Sequence, residues 1–153
     1  MRQSARGIII SNDQILLMDR NKFGFKYRSL IGGGIDLGET PEQTLIREVY
    51  EEASIRIQNL KLVIVEDAGS VYGHQYIYRC EYLSGKVGLN PDAEEYKIMQ
   101  KGLNLYQPIW WPIAKIADAN ILPVELNRTL VDFFKNGFPD TPLNLVIAET
   151  SIR

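Results

Sequence analysis

Little cysteine, little histidine, no long apolar run and no excess of either charge: each shortage removes a class of function. With one cysteine, Cys80, the chain has no internal disulfide, and it suits a reducing compartment. The one histidine, His74, falls in a β-rich run and is read as a strand residue rather than a catalytic base. No Ser-His-Asp elbow and no zinc ligand set can be assembled. Nothing approaches the roughly 18 apolar residues of a membrane span. The run Gly7 to Ile10 is too brief for a signal-peptide core, so a cytoplasmic protein is expected. The formal charge of −2 supplies no basic field for a phosphate backbone, so a nucleic-acid polymer is not expected as partner. Gly85-Lys86 lacks the upstream glycine and following Ser or Thr of a phosphate loop, and Leu37 breaks the dinucleotide fingerprint that Gly32 and Gly34 begin.

What is present is an ordinary globular composition, 45% hydrophobic and 24% charged over 153 residues, which predicts a single domain over 1–153 with a real core. Short strands are expected at Arg6–Ser11, Gln14–Arg20 and Tyr27–Ile31, the first two joined by an Asn12-Asp13 turn. Longer β-rich runs follow at Arg56–Asp67 and Tyr72–Leu83, then a strand at Tyr106–Trp111. Gly85 to Lys101 reads as an acidic loop, Pro123 to Asn136 as a helix closed by Gly137, and the tail from Phe138 as irregular. This order predicts a mixed β-sheet between helices, an α/β/α sandwich. Asn127-Arg128-Thr129 matches a glycosylation sequon but lies inside the expected helix, and is set aside.

The chemistry concentrates between Gly33 and Ile55. Thr40 suits the N-cap of a helix, Pro41 its first turn, and Gln43 completes a Thr-x-x-Gln capping box. Residues then step about 100° around the axis, which puts Glu52 at about +40° and Glu51 at about −60° from Glu48. Leu45, Ile46, Val49, Tyr50 and Ala53 fill an adjoining apolar stripe. Three glutamates within about one turn repel one another by roughly 0.2–0.5 kcal/mol per pair. They also sit toward the helix C-terminus, where the macrodipole disfavours anions. A bound cation offsets both penalties, and clustered carboxylate oxygens suit a hard ion such as Mg²⁺ or Mn²⁺. Arg47, at the i,i+4 spacing from Glu51, orients that carboxylate.

With Gly33, Glu39, Arg47, Glu48, Val49, Glu51, Glu52 and Ile55 in register, the segment resembles the signature of the Nudix hydrolase family. Ser54 stands where that signature has glycine, and Ile31 stands before the paired glycines where a proline is common. If the left-handed geometry of that helix end is kept, serine there costs roughly 1–2 kcal/mol. The resemblance implies an α/β/α sandwich and metal-dependent hydrolysis of a nucleoside diphosphate linked to another moiety, releasing a nucleoside monophosphate. It implies Glu48, Glu51, Glu52 and the carbonyl of Gly32 as metal ligands, with Glu39 at the turn holding loop and helix together. A late-loop acid would serve as ligand or base, here Asp92, Glu94 or Glu95, each of which reads equally well as part of a solvated cluster.

Substrate rings would stack on aromatics such as Tyr27, Tyr72 or Tyr76, though core packing explains most of these residues as well. Ser70 and Val71 occupy the region where ADP-ribose-type members tend to carry proline, and Tyr72 lies near a tyrosine common in dinucleoside-polyphosphate members. The expected partner is a nucleotide-type small molecule, with no membrane; a homodimer stays open. Two other readings stand beside the enzyme: a Nudix-fold nucleotide sensor with little hydrolysis, and an interaction domain whose acidic helix is a solvated face.

Overall fold

The computed structural model describes residues 3–69, 73–91, 94–99, 102 and 104–148. The expected hairpin forms: β1 (Gln3–Ser11) meets β2 (Gln14–Lys22) through the pairs Ile10 to Ile15 and Ser11 to Gln14, with Asn12 in the left-handed region at φ 54°. Beyond those pairs the two strands part. β1 enters a mixed sheet, antiparallel to β4 (Ile31–Gly34) and parallel to β6 (His74–Ser84). β6 pairs antiparallel with β5 (Arg56–Asp67), whose far edge takes β8 (Leu143–Val146) in parallel. β2 instead runs between β3 (Phe25–Ser29) and β7 (Asn104–Pro112), antiparallel to both. The sheet therefore splays into two arms.

Alternation along the shared strands builds two cores, one on each face. Ile8, Leu17 and Ile77 point to one side, where helix α3 (Val124–Asn136) covers them with Leu126, Leu130 and Phe133. Ile9, Leu16 and Tyr78 point to the other, under helix α1 (Pro41–Ala53) with Leu45, Val49 and Ala53. Full burial of a leucine or valine is worth roughly 1.5–3 kcal/mol, so the two such positions, Leu45 and Val49, with Ala53 beside them, seat α1 firmly. The expected α/β/α sandwich is present. Asn127 of the apparent sequon is buried, donating from Nδ2 to Ile116 O and accepting at Oδ1 from Ile121 N. It ties α3 to the 3-10 segment Ile113–Asp118 and the chain that follows.

Four expectations are corrected. The predicted strand Tyr27–Ile31 divides at Leu30 into β3 and β4, because the two halves pair with different partners. The predicted loop from Gly85 to Lys101 contains a short helix, α2 (Glu94–Met99), which packs on β7. The tail adds β8 rather than remaining irregular, using the open edge of β5. Ile46 and Tyr50 do not join the buried stripe of α1, being 40% and 41% exposed; Tyr50 instead lies under the Arg56 guanidinium at 3.8 Å.

Candidate active site

The acidic helix begins as its sequence dictates. Thr40 caps it, its Oγ1 accepting from Gln43 N at 3.2 Å while Gln43 Oε1 accepts from Thr40 N at 2.9 Å. It ends at Ser54, held left-handed at φ 63°, ψ 25°. The strain expected for a serine there is real, but its Oγ donates to Gly88 O at 2.9 Å and Gly88 N donates back to Ala53 O.

Arg47 is the hub of the turn. Its Nε and Nη2 donate to the two carboxylate oxygens of Glu39 at 2.8 and 2.9 Å, and Nη1 donates to Glu48 at 3.0 Å and Glu51 at 3.2 Å. Asp36 lies 3.3 Å from Nη2. Glu39 also accepts from Thr44 Oγ1 and Asp36 N, so it does hold loop and helix together. The Arg47 hydrogen bond, aided by Thr44 and Asp36, pulls the Glu39 carboxyl from 4.5 down to about 2, against a smaller opposing desolvation. The Glu39 bond likewise raises Arg47 above its already high value, so it stays charged.

The glycines set the distance between strand and helix. A side chain at Gly33 would place Cβ 2.5 Å from Glu48 Cδ and 2.7 and 2.8 Å from its oxygens. One at Gly32 would collide with the backbone of Ala5. The bare backbone of Gly33 thus lets the Glu48 carboxylate lie over it, and Glu52, 8% exposed, accepts from Gly32 N at 3.3 Å.

Both glutamates open on a cavity of about 550 Å³ between the two arms of the sheet. It is lined by Gly32, Gly33, Gly34, Glu48 and Glu52 and also by Arg20, Lys22, Tyr27 and Tyr106. Arg6 and Gln75 close one part, joined by a 3.0 Å bond from Arg6 Nε to Gln75 Oε1. Carboxylates and cations lining one cavity suit a ligand that brings both metal and phosphate.

Of the expected site residues, Gly32, Glu48, Glu52 and Tyr27 line this cavity. Glu51 and Arg47 stand behind them, tied to one another. Tyr76 lies apart, in β6, packed on the α1-side core and accepting from Gln3 Nε2 at 3.3 Å. Tyr72 and Asp92 fall outside the described residues, as do the side chains of Glu94 and Glu95, whose backbone opens α2. Arg6, Arg20, Lys22, Gln75 and Tyr106 were missed from sequence. For Arg20 and Lys22 the signal was phase: they continue the alternation of Leu16 and Met18 past the end of the apolar run.

The donor set is all oxygen and includes two carboxylates at the cavity wall, which fits a hard divalent ion rather than a soft one. Among the described residues no three acidic, histidine or cysteine side chains are gathered around one point, and Arg47 Nη1 binds Glu48 at 3.0 Å and Glu51 at 3.2 Å.

The profile of the NUDIX domain matches residues 1–121, and the chain belongs to the Nudix family. An NAD-capped RNA hydrolase, NudC, of Pectobacterium carotovorum subsp. carotovorum (strain PC1) is 30% identical over 79 residues, 52% of this chain and 30% of that protein. An RNA pyrophosphohydrolase of Pseudoalteromonas translucida (strain TAC 125) is 39% identical over 57 residues, 37% of this chain and 33% of that protein. The match thus spans about a third of those relatives. A crystal structure of a NUDIX hydrolase from Nitrosomonas europaea superposes with a TM-score of 0.71 at 16% identity, covering 95% of this chain and 78% of that one, a likeness of fold.

Proposed function

We propose that this chain hydrolyses the diphosphate bond of a nucleoside diphosphate linked to another moiety, releasing a nucleoside monophosphate. The observation that carries the reading is that Glu48 and Glu52, laid by α1 against the glycine strand, line one cavity together with Arg6, Arg20 and Lys22. Membership of the Nudix family and the names of the two relatives, an NAD-capped RNA hydrolase and an RNA pyrophosphohydrolase, support the same reading.

In this reading Glu48, Glu51 and Glu52, with the Gly32 carbonyl, would hold Mg²⁺ or Mn²⁺. The bound ion would neutralise charge developing on the diphosphate and make an attacking water more acidic. Glu48, or an acid among Asp92, Glu94 and Glu95, would accept the proton of that water. Arg47 keeps Glu48 and Glu51 in place through the bonds described above. Arg20 and Lys22 would face the anionic substrate, and the Arg20 guanidinium, layered on Tyr106 beside the edge of Tyr27, would offer its base a flat surface. A cytoplasmic setting, consistent with one buried thiol, belongs to the same proposal.

The test is Glu52→Gln. The amide keeps the size of the side chain and an oxygen for Gly32 N, so folding survives. Monophosphate release in Mg²⁺ should fall over a hundredfold, about 3 kcal/mol of transition-state stabilisation. A near-normal rate would remove Glu52 from the chemistry and the proposal with it.

A further inference from the structure

On the face of the β3–β2–β7 arm opposite Lys22 and Tyr106, we infer a second binding site, for a small molecule that joins a phosphate to vicinal hydroxyls. The inference is independent of the nucleotide reading of the first cavity.

This face changes character partway along its strands. Ile15 and Leu17 of β2, with Ile109 and Trp111 of β7, belong to the core under α3. Two residues along, the same alternation brings Asp19 and Asn21 of β2 and Gln107 of β7 to that face. Register sets Arg28 and Lys26 of β3 opposite Asp19 and Asn21. Solvation alone asks only for an open polar surface. Here those five residues and Asn120 line a cavity of about 370 Å³, a volume within the range of small-molecule sites.

Its wall is fixed by the protein's own bonds. The segment from Ala119 to Leu122 runs along the edge of β3, Arg28 N donating to Asn120 O and Leu122 N to Arg28 O, both at 3.0 Å. Arg28 Nη1 donates to Ala119 O at 2.9 Å, and its Nε lies 3.3 Å from Asp19 Oδ1. The same guanidinium lies 4.3 Å from the Trp111 ring centroid. Asn120, left-handed at φ 52°, donates from Nδ2 to Lys26 O at 3.1 Å. Asn21 Oδ1 accepts from Gly24 N at 2.9 Å.

These bonds leave a defined set of groups. Asp19 keeps Oδ2 and Asn120 keeps Oδ1 as acceptors, Asn21 keeps Nδ2 as donor, and Gln107 offers one of each. A hydroxyl both donates and accepts, so two adjacent hydroxyls match this mixture of carboxylate and amide. Arg28 is offset by Asp19, and the Arg20 guanidinium lies on Tyr106 across the sheet. Lys26 therefore supplies the positive charge for an anionic group. Among the described residues Leu105 is the one aliphatic side chain lining the cavity, which gives an apolar ligand little to bury against. Phosphate and vicinal hydroxyls occur together in a free pentose phosphate and in a nucleoside monophosphate.

Amide NMR of the metal-free protein, titrated separately with ribose 5-phosphate, adenosine monophosphate and inorganic phosphate, tests the site. Saturable shifts are expected at Asn21, Lys26, Gln107 and Asn120 with at least one of the two sugar phosphates, and the probe that produces them names the source. Lys26→Ala should weaken that binding about tenfold, the size of one charge-assisted hydrogen bond, and Lys26→Arg should keep it. Gln107→Ala should weaken the sugar phosphate and leave inorganic phosphate unchanged. Both side chains are exposed, and circular dichroism should report unchanged folding. Absence of saturable shifts at those four amides, shifts confined to Gly32, Gly33 and Gly34, or unchanged affinity in Lys26→Ala overturns the inference. Inorganic phosphate binding as tightly as either sugar phosphate overturns it as well, since charge alone would then explain the contact.

Discussion

At the scale of single residues, the site depends as much on what is missing from Gly32 and Gly33 as on the carboxylates. The two glycines fail differently when a methyl is added. At Gly32 the methyl meets the Ala5 backbone, which cannot yield without parting β1 from β4. At Gly33 it meets the end of the Glu48 side chain, which can swing away. Gly33→Ala should therefore fold with a loss of about 1 kcal/mol while displacing the carboxylate and lowering the rate about a hundredfold. Urea unfolding and monophosphate release on the same preparation check the pair. A Gly33→Ala enzyme at full rate would mean that the position of Glu48 does not matter. The sequence made these glycines and glutamates legible because one helix and one turn bring them together locally. It priced Ser54 by its own backbone and could not show Gly88 O, whose place depends on a loop beyond β6. Arg6 and Gln75 were illegible for the same reason: strands far apart in the chain bring them to one wall.

Elements were legible where local chemistry suffices and obscure where a neighbour decides. The capping box, the Asn12-Asp13 turn and the span of α3 all declare themselves within a few residues. β8 is four residues long and exists because β5 offers an unpaired edge, which no local pattern announces. α2 is too short to be stable alone and leans on β7. The link between β4 and α1 is made by the Arg47–Glu39 pair, and that link titrates. Glu39 falls from 4.5 to about 2 on folding, so the folded state favours its ionised form. Its contribution to stability is then complete above about pH 4.5 and is lost as pH falls toward 2. Glu39→Gln should be less stable than the parent protein at pH 6, and the gap should close between pH 4.5 and 2. Denaturation midpoints at several pH values measure it. A constant gap would show that Glu39 acts through shape rather than charge.

For the whole molecule, the decisive feature is that the two cores share their strands. Ile8 and Ile9, Leu17 and Leu16, and Ile77 and Tyr78 send neighbouring side chains to opposite faces, so neither face can lose packing while the other keeps its sheet. Trp111 packs on the α3 side and Trp110 on the α1 side, which gives each core its own reporter. Cys80 gives the α1 side a second one. Its thiol is fully buried, and that burial pushes it up to about 12, so a thiol reagent at pH 8 reaches it only through opening of that core. Trp110→Phe and Trp111→Phe each leave one tryptophan to follow. In urea, the fluorescence transitions of the two variants should each coincide with the onset of Cys80 labelling in that same variant, as a single cooperative unit requires. If Cys80 labels at urea concentrations where Trp111 fluorescence in Trp110→Phe is still native, the α1 layer opens by itself. The glutamates of α1 would then ride on a separable element, and their placement over the glycine strand would depend on what the cavity binds.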